Sequence, residues 1–233
     1  MSAAPSYAFP PLPQPSAAIA GSDARFPLHR IYCVGRNYVD HAKEMGGTGR
    51  EAPFFFMKPA DAVLNVAAGD TGSMPYPGMT EDLHHEIELV AAIGRGGRDI
   101  AAADALAHVW GYAVGLDMTR RDLQGEAKKA GRPWCTGKGF DHSAPLGPIH
   151  AAAALALDAA ISLTVNGAVR QHSTLDKLIW SVAETIEHLS RYFELQPGDL
   201  IFTGTPAGVA AVQRGDLLEG AIDGLGALRV RIV

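Results

Sequence analysis

Residues 86–93 read Glu-Ile-Glu-Leu-Val-Ala-Ala-Ile, and residues 109–117 read Val-Trp-Gly-Tyr-Ala-Val-Gly-Leu-Asp. Both are short, nearly unbroken apolar runs, the pattern of strands covered on both faces. Side chains alternate along a strand, so Glu86 and Glu88 point to one face, about 6 to 7 Å apart. If that strand extends back regularly, His84 shares their face, while His85, Ile87 and Leu89 take the other. Two buried acids at this spacing repel unless something positive lies between them, and Asp117, delivered by the end of the second run, adds a third. Three carboxylates converging from buried strands suit an all-oxygen site for Mg2+ or Mn2+, and His84 would add Zn2+ or Fe2+ as an option. For the two glutamates alone the alternative is a pair of exposed acids on an edge strand.

Upstream, Arg30 to Val34 alternates into a strand that stops at Gly35, and Gly35-Arg36-Asn37-Tyr38 turns the chain towards a helix starting near Asp40. His41 and Glu44 would share a face of that helix, where a carboxylate can orient an imidazole; a solvated surface pair is the alternative. Three glycines among residues 46–49 follow. Pro53 to Pro59 is a dense apolar strand ending in Lys58, read either as a surface lysine with a buried stem or as an anion contact.

Downstream, Thr119 is placed to cap a helix from Arg120 to Ala130 that carries Arg121, Gln124 and Lys128 along one side. Arg121 and Gln124 become candidate donors to a bound oxyacid, because the helix begins beside Asp117; a surface role is the alternative that the pattern alone supports equally. Lys138 stands between Gly137 and Gly139, which let the backbone approach a ligand. Asn166-Gly167 predicts a hairpin over Ile161 to Gln171. An apolar stripe from Leu175 to Phe193 predicts one long helix. Leu200 to Thr203 reads as a strand running into Gly204-Thr205-Pro206, a polar bend whose hydroxyls and amides can meet a carboxylate.

The chain has 233 residues, a net charge of −5 and scattered basic residues, which excludes a nucleic-acid surface. No apolar run is long enough to span a bilayer. Cys33 and Cys135 lack metal-type spacing and read as reduced thiols, placing the protein in the cytoplasm. Residues 1–24 are rich in Pro, Ala and Ser and read as an irregular arm without the features of a secretory signal. The organisation expected is an arm at 1–27 and one catalytic domain at 28–233, of α+β class and mostly β.

In this order, the motifs Gly35-Arg36-Asn37-Tyr38 with His41 and Glu44, Phe56-Met57-Lys58-Pro59, Glu86-x-Glu88, Gly115-Leu116-Asp117 running on to Gln124, Lys138-Gly139-Phe140-Asp141 and Thr203-Gly204-Thr205-Pro206 resemble the fumarylacetoacetate hydrolase family, in its acylpyruvate branch. The resemblance spans roughly residues 30–233 and implies a mixed β-roll with peripheral helices and a homodimer. It makes Glu86, Glu88 and Asp117 ligands of one Mg2+ or Mn2+ per subunit, and His41 with Glu44 the pair that activates water. Lys138 would stabilise developing negative charge, with Arg36, Arg121, Gln124 and Thr205 at the substrate. The implied reaction is hydrolysis of a carbon-carbon bond in a 2,4-dioxo acid, with fumarylpyruvate as the leading case. Oxaloacetate decarboxylation, isomerisation of an unsaturated 2-oxo diacid and non-catalytic dicarboxylate binding are the rivals. Gly208-Val209-Ala210 stands where family members often carry Gly-Val-Gly.

Overall fold

The structure is a computed structural model and describes residues 6–39, 50–152 and 155–233. The chain enters through a hairpin, β1 (Ser16–Ile19) and β2 (Ser22–Pro27), turned at Gly21. There follow β3 (Ile31–Gly35), β4 (Phe54–Lys58), β5 (Val63–Asn65), β6 (Thr71–Met74), β7 (Leu83–His84), β8 (Ile87–Ile93) and β9 (Val109–Leu116). After β10 (Thr119–Arg120) come the helix Arg121–Lys129 and the short helix Cys135–Lys138, then β11 (Ala144–Leu146) and β12 (His150–Ala151). The last third holds the hairpin β13 (Ala160–Val165) and β14 (Ala168–Thr174), the helix Val182–Tyr192, β15 (Leu200–Phe202), β16 (Leu217–Ile222) and β17 (Gly226–Ile232).

Two sheets carry the fold, mostly β with peripheral helices as expected. The larger runs β4-β3-β15-β8-β9-β11-β5, with β12 added beside β9; the smaller runs β14-β13-β16-β17-β6. In the larger sheet β15 lies parallel to β3 and antiparallel to β8, so residues 31–35, 87–93 and 200–202 meet from distant parts of the chain. Every residue of β8 is buried. Ile87 and Leu89 face the smaller sheet, Val90 and Ala92 a second apolar cluster and Ala91 and Ile93 a third, which accounts for a run with no polar alternation. The sheets pack so closely that a Cβ on Gly220 of β16 would lie 2.5 Å from the Ile87 side chain. Among the described residues no helix is long and apolar enough to cross a membrane.

Asn166 and Gly167 turn the β13–β14 hairpin with φ of 51° and 81°, the left-handed pair that a primed two-residue turn needs. Four expectations are corrected. Residues 16–27 are not irregular: the hairpin docks through Ala18 N–H to Asn65 Oδ1 at 2.7 Å and buries Ala17 and Phe26. The strand through His84 and Glu88 is interrupted at 85–86, where β7 leaves to pair with β10. Thr119 caps nothing, since its hydroxyl donates to the Asp117 carbonyl and the helix starts at Arg121.

The stripe from Leu175 to Phe193 is not one helix either. It is a 3-10 turn at Leu175–Lys177, an extended link and the helix Val182–Tyr192. Asn37 holds the link open, its amide spanning Trp180 N–H and Trp180 O at 2.7 and 2.9 Å, and Ser181 with Glu184 forms a capping box that starts the helix afresh. That S-x-x-E pattern is visible in the sequence and outweighs the periodicity.

Candidate active site

The three acids reach one point because the β8–β9 ladder sets their register. Glu88 is opposite Gly115 and Ile87 opposite Leu116, and the Asp117 N–H donates to the Glu86 carbonyl at 2.8 Å, extending the pairing past both strand ends. One carboxylate oxygen from each of Glu86, Glu88 and Asp117 then lies within 4.8 Å of the others, and all three residues are buried.

Their charges are answered by cations from three other segments. Lys138, at the end of the short helix Cys135–Lys138, places Nζ 2.7 Å from Glu86 Oε2 and 2.7 Å from Asp117 Oδ2. Arg121 donates to Glu86 Oε1 and, at 2.6 Å, to Gln124 Oε1. Lys58 is not a surface lysine: fully buried, it lies 2.8 Å from Asp117 Oδ1 and donates to the carbonyls of Met118 and Lys138. Burial opposes the charge on Lys138, but Asp117 and Glu86 outweigh it and hold its pKa above the ordinary lysine value. Lys138 is therefore the ion-pair partner of the carboxylates in this arrangement.

Glu88 is the exception. Its closest support is the Gly204 N–H, donating to Oε2 at 2.7 Å. Burial, then the charges of Asp117 and Glu86, push its pKa well above the usual carboxylate range despite Lys138 and that hydrogen bond. The Thr203-to-Pro206 bend does turn an amide towards a carboxylate, but the carboxylate is the protein's own.

The donor set fits a hard divalent cation. It is all carboxylate oxygen from three buried residues, and the surroundings of Glu88 disfavour its negative charge, which a cation would offset. His84 stands apart, with Nε2 2.9 Å from Asp82 and Nδ1 accepting from Arg121, so the imidazole option for Zn2+ or Fe2+ loses its ligand.

One cleft is lined by Arg36, Glu86, Glu88, Asp117, Arg121, Gln124, Lys138 and Thr205, the residues that the family resemblance puts at the site and that fall among the described ones; Lys58 and His84, the other candidates read from the sequence, do not line it. His41 and Glu44 lie outside the described residues. Phe54, Phe56 and Trp134 complete its wall.

Sequence reasoning missed His85 and Gln171, which stand behind Thr205. Buried His85 donates from Nδ1 to Gln171 Oε1 at 2.9 Å, an oxygen that also accepts the Ile87 N–H. Gln171 Nε2 donates at 2.8 Å to Thr205 Oγ1, whose own proton goes to the Ile87 carbonyl. Gln171 faces Leu163 across the hairpin, so strand alternation marks it as an inward polar residue.

Residues 30–233 match the family model described as fumarylacetoacetate (FAA) hydrolase, C-terminal. The crystal structure of a fumarylpyruvate hydrolase from Pseudomonas aeruginosa, in complex with Mn2+ and pyruvate, superposes with a TM-score of 0.96 at 60% identity, covering 98% of this chain and 99% of that one. A fumarylpyruvate hydrolase of a Ralstonia species is 43% identical over 78% of this chain and 93% of its own length. The mitochondrial oxaloacetate tautomerase FAHD1 of Rattus norvegicus is 40% identical over 87% of this chain and 90% of its own.

Proposed function

The chain belongs to the fumarylacetoacetate hydrolase family, and from that premise we propose that it is a divalent-metal-dependent hydrolase of acylpyruvates, with fumarylpyruvate as substrate and fumarate and pyruvate as products. The observation that carries this reading is the buried triad of Glu86, Glu88 and Asp117, a donor set that suits Mg2+ or Mn2+ at the floor of a cleft lined by cations. The metal, when bound, supplies a Lewis acid that binds the 2-oxo acid end of the substrate and favours negative charge there.

The chain's own groups do the rest. Arg121 and Gln124, already hydrogen-bonded to each other beside Glu86, orient the acid end of the substrate. Water adds to the distal carbonyl carbon after giving a proton to His41 and Glu44, the pair assigned this role. Lys138 offers ammonium protons to the oxygen that becomes negative. The bond between the distal carbonyl carbon and the neighbouring methylene then breaks, its electron pair staying on the methylene. That carbon takes up a proton and becomes the methyl group of pyruvate. A homodimer and a cytoplasmic setting belong to the same proposal.

Oxaloacetate tautomerisation is the second reading, favoured by the identity to the rat enzyme. It needs the same grip on a 2-oxo acid and a proton carrier, without attack by water. Both readings are tested by incubating purified protein with Mn2+ and fumarylpyruvate, acetylpyruvate or enol-oxaloacetate. Pyruvate is measured in the first two cases, with fumarate in the first and acetate in the second, and loss of enol absorbance in the third. The hydrolase reading expects equal amounts of fumarate and pyruvate from fumarylpyruvate. Rapid loss of enol with no pyruvate from either acylpyruvate overturns it in favour of the tautomerase.

A further inference from the structure

We propose that Arg36, set against an aromatic wall of Phe54 and Trp134, recognises a second carboxylate on the substrate, so that the cleft selects flat, conjugated acyl groups that end in an acid. This deepens the hydrolase reading and rests on it. Lys58, Lys138 and Arg121 each lie against a triad carboxylate. Arg36 has no carboxylate partner among the described residues, and its Nε is buried without a hydrogen-bond acceptor. An Nε–H buried without an acceptor is costly, and a ligand carboxylate accepting from it and from a terminal guanidinium N–H removes that cost.

The surroundings give the ligand its shape. The Arg36 guanidinium lies 5.9 Å from the centre of the Phe54 ring, and Phe54 meets Trp134 edge-on with ring centres 5.3 Å apart. Phe54 sits so tightly on Gly35 that a Cβ there would lie 2.0 Å from the ring, and Arg36 itself takes a left-handed φ of 57°. Gly35 thus lets the ring close on the backbone, and the unusual turn after it directs the arginine to the same cleft as the triad. Aromatic faces favour a planar conjugated chain over a methyl group, and a single guanidinium favours an anionic terminus over a neutral one. With the 2-oxo acid end at the triad, this end receives the acyl portion.

The test compares kcat/KM for fumarylpyruvate with kcat/KM for acetylpyruvate, whose acyl group ends in a methyl, in the wild type, Arg36→Gln and Arg36→Lys. The expected result is that the fumaryl-to-acetyl ratio falls about 10- to 100-fold in Arg36→Gln, the scale of a charge-assisted hydrogen bond, and less in Arg36→Lys. An unchanged ratio, with both substrates losing equally, overturns the proposal and leaves Arg36 a structural residue. Should Arg36→Gln fail to fold, Arg36→Lys decides on the same ratio. A second arm needs no turnover: calorimetric binding of fumarate and of crotonate, which lacks one carboxylate, in the presence of Mn2+. The preference for fumarate should drop about tenfold in Arg36→Gln, and an unaltered preference refutes the assignment. If wild-type protein hydrolyses neither acylpyruvate, the hydrolase reading fails, while the binding arm still decides the role of Arg36.

Discussion

At the floor of the cleft Glu86 and Asp117 lie against Lys58, Lys138 and Arg121, whereas at its mouth Arg36 lies against the Phe54 ring and meets no carboxylate among the described residues. The floor is dry. Ions there must be paired or the fold would lose several kcal/mol, so the groups that surround the acids are part of the structure before any ligand arrives. The mouth is half-exposed, and solvent carries part of the charge on Arg36 until a ligand displaces it. The contrast teaches that the cations of the floor are paired within the fold before a ligand arrives, whereas Arg36 has no carboxylate among the described residues, and Glu88, whose charge its surroundings disfavour, marks where a cation joins the floor.

The severest way to break this contrast is Lys58→Met, which leaves Asp117 facing apolar surroundings with one partner fewer. Urea unfolding of the metal-free protein is expected to show a loss of about 3–5 kcal/mol, the cost of stranding a buried charge. A loss below about 1 kcal/mol would place Lys58 outside the charge balance. The next effect concerns the cation: Mn2+ at about 100 times its Kd is expected to stabilise the wild type by about 2.7 kcal/mol, and Glu88→Ala to abolish that increment. A thermal shift that persists in the variant would remove Glu88 from the ligand set.

A change at the mouth is expected to cost less. Gly35→Ala drives a methyl into the Phe54 ring, so a destabilisation of about 1–3 kcal/mol is expected together with a lower fumaryl-to-acetyl ratio. If stability falls and the ratio holds, Phe54 does not shape the mouth. Ser181→Ala is the smallest and lies outside both ends. Losing the capping box is expected to cost about 1 kcal/mol in urea, with the substrate ratio as in the wild type. A changed ratio would tie the helix Val182–Tyr192 to the mouth.

Much of the floor was legible because strand alternation is a short-range rule. Glu86 and Glu88 share a face by spacing alone, Asp117 follows a run too apolar to be exposed, and Asn166-Gly167 specifies a turn through its own backbone preferences. Lys58 was not legible, since nothing within five residues reveals that its ammonium will meet Asp117 and the carbonyls of Met118 and Lys138. The long helix expected from Leu175 failed for the same reason: Asn37, remote in sequence, competes for the backbone at Ile179 and Trp180. The hairpin at 16–27 was hidden by its composition, because its stability comes from docking on Asn65 and Ile149 rather than from its own residues.

The sequence by itself determined the chemistry available: three acids in register, Lys138 between glycines, Arg36 and Arg121, and a hydroxyl after a glycine bend. It did so because periodicity and turn preference act between near neighbours. The tertiary structure alone decided which cation meets which acid, that Gly204 supports Glu88, and that Arg36 has no carboxylate partner among the described residues. Those outcomes depend on β15 being brought between β3 and β8 from more than a hundred residues away, and no local rule carries that distance.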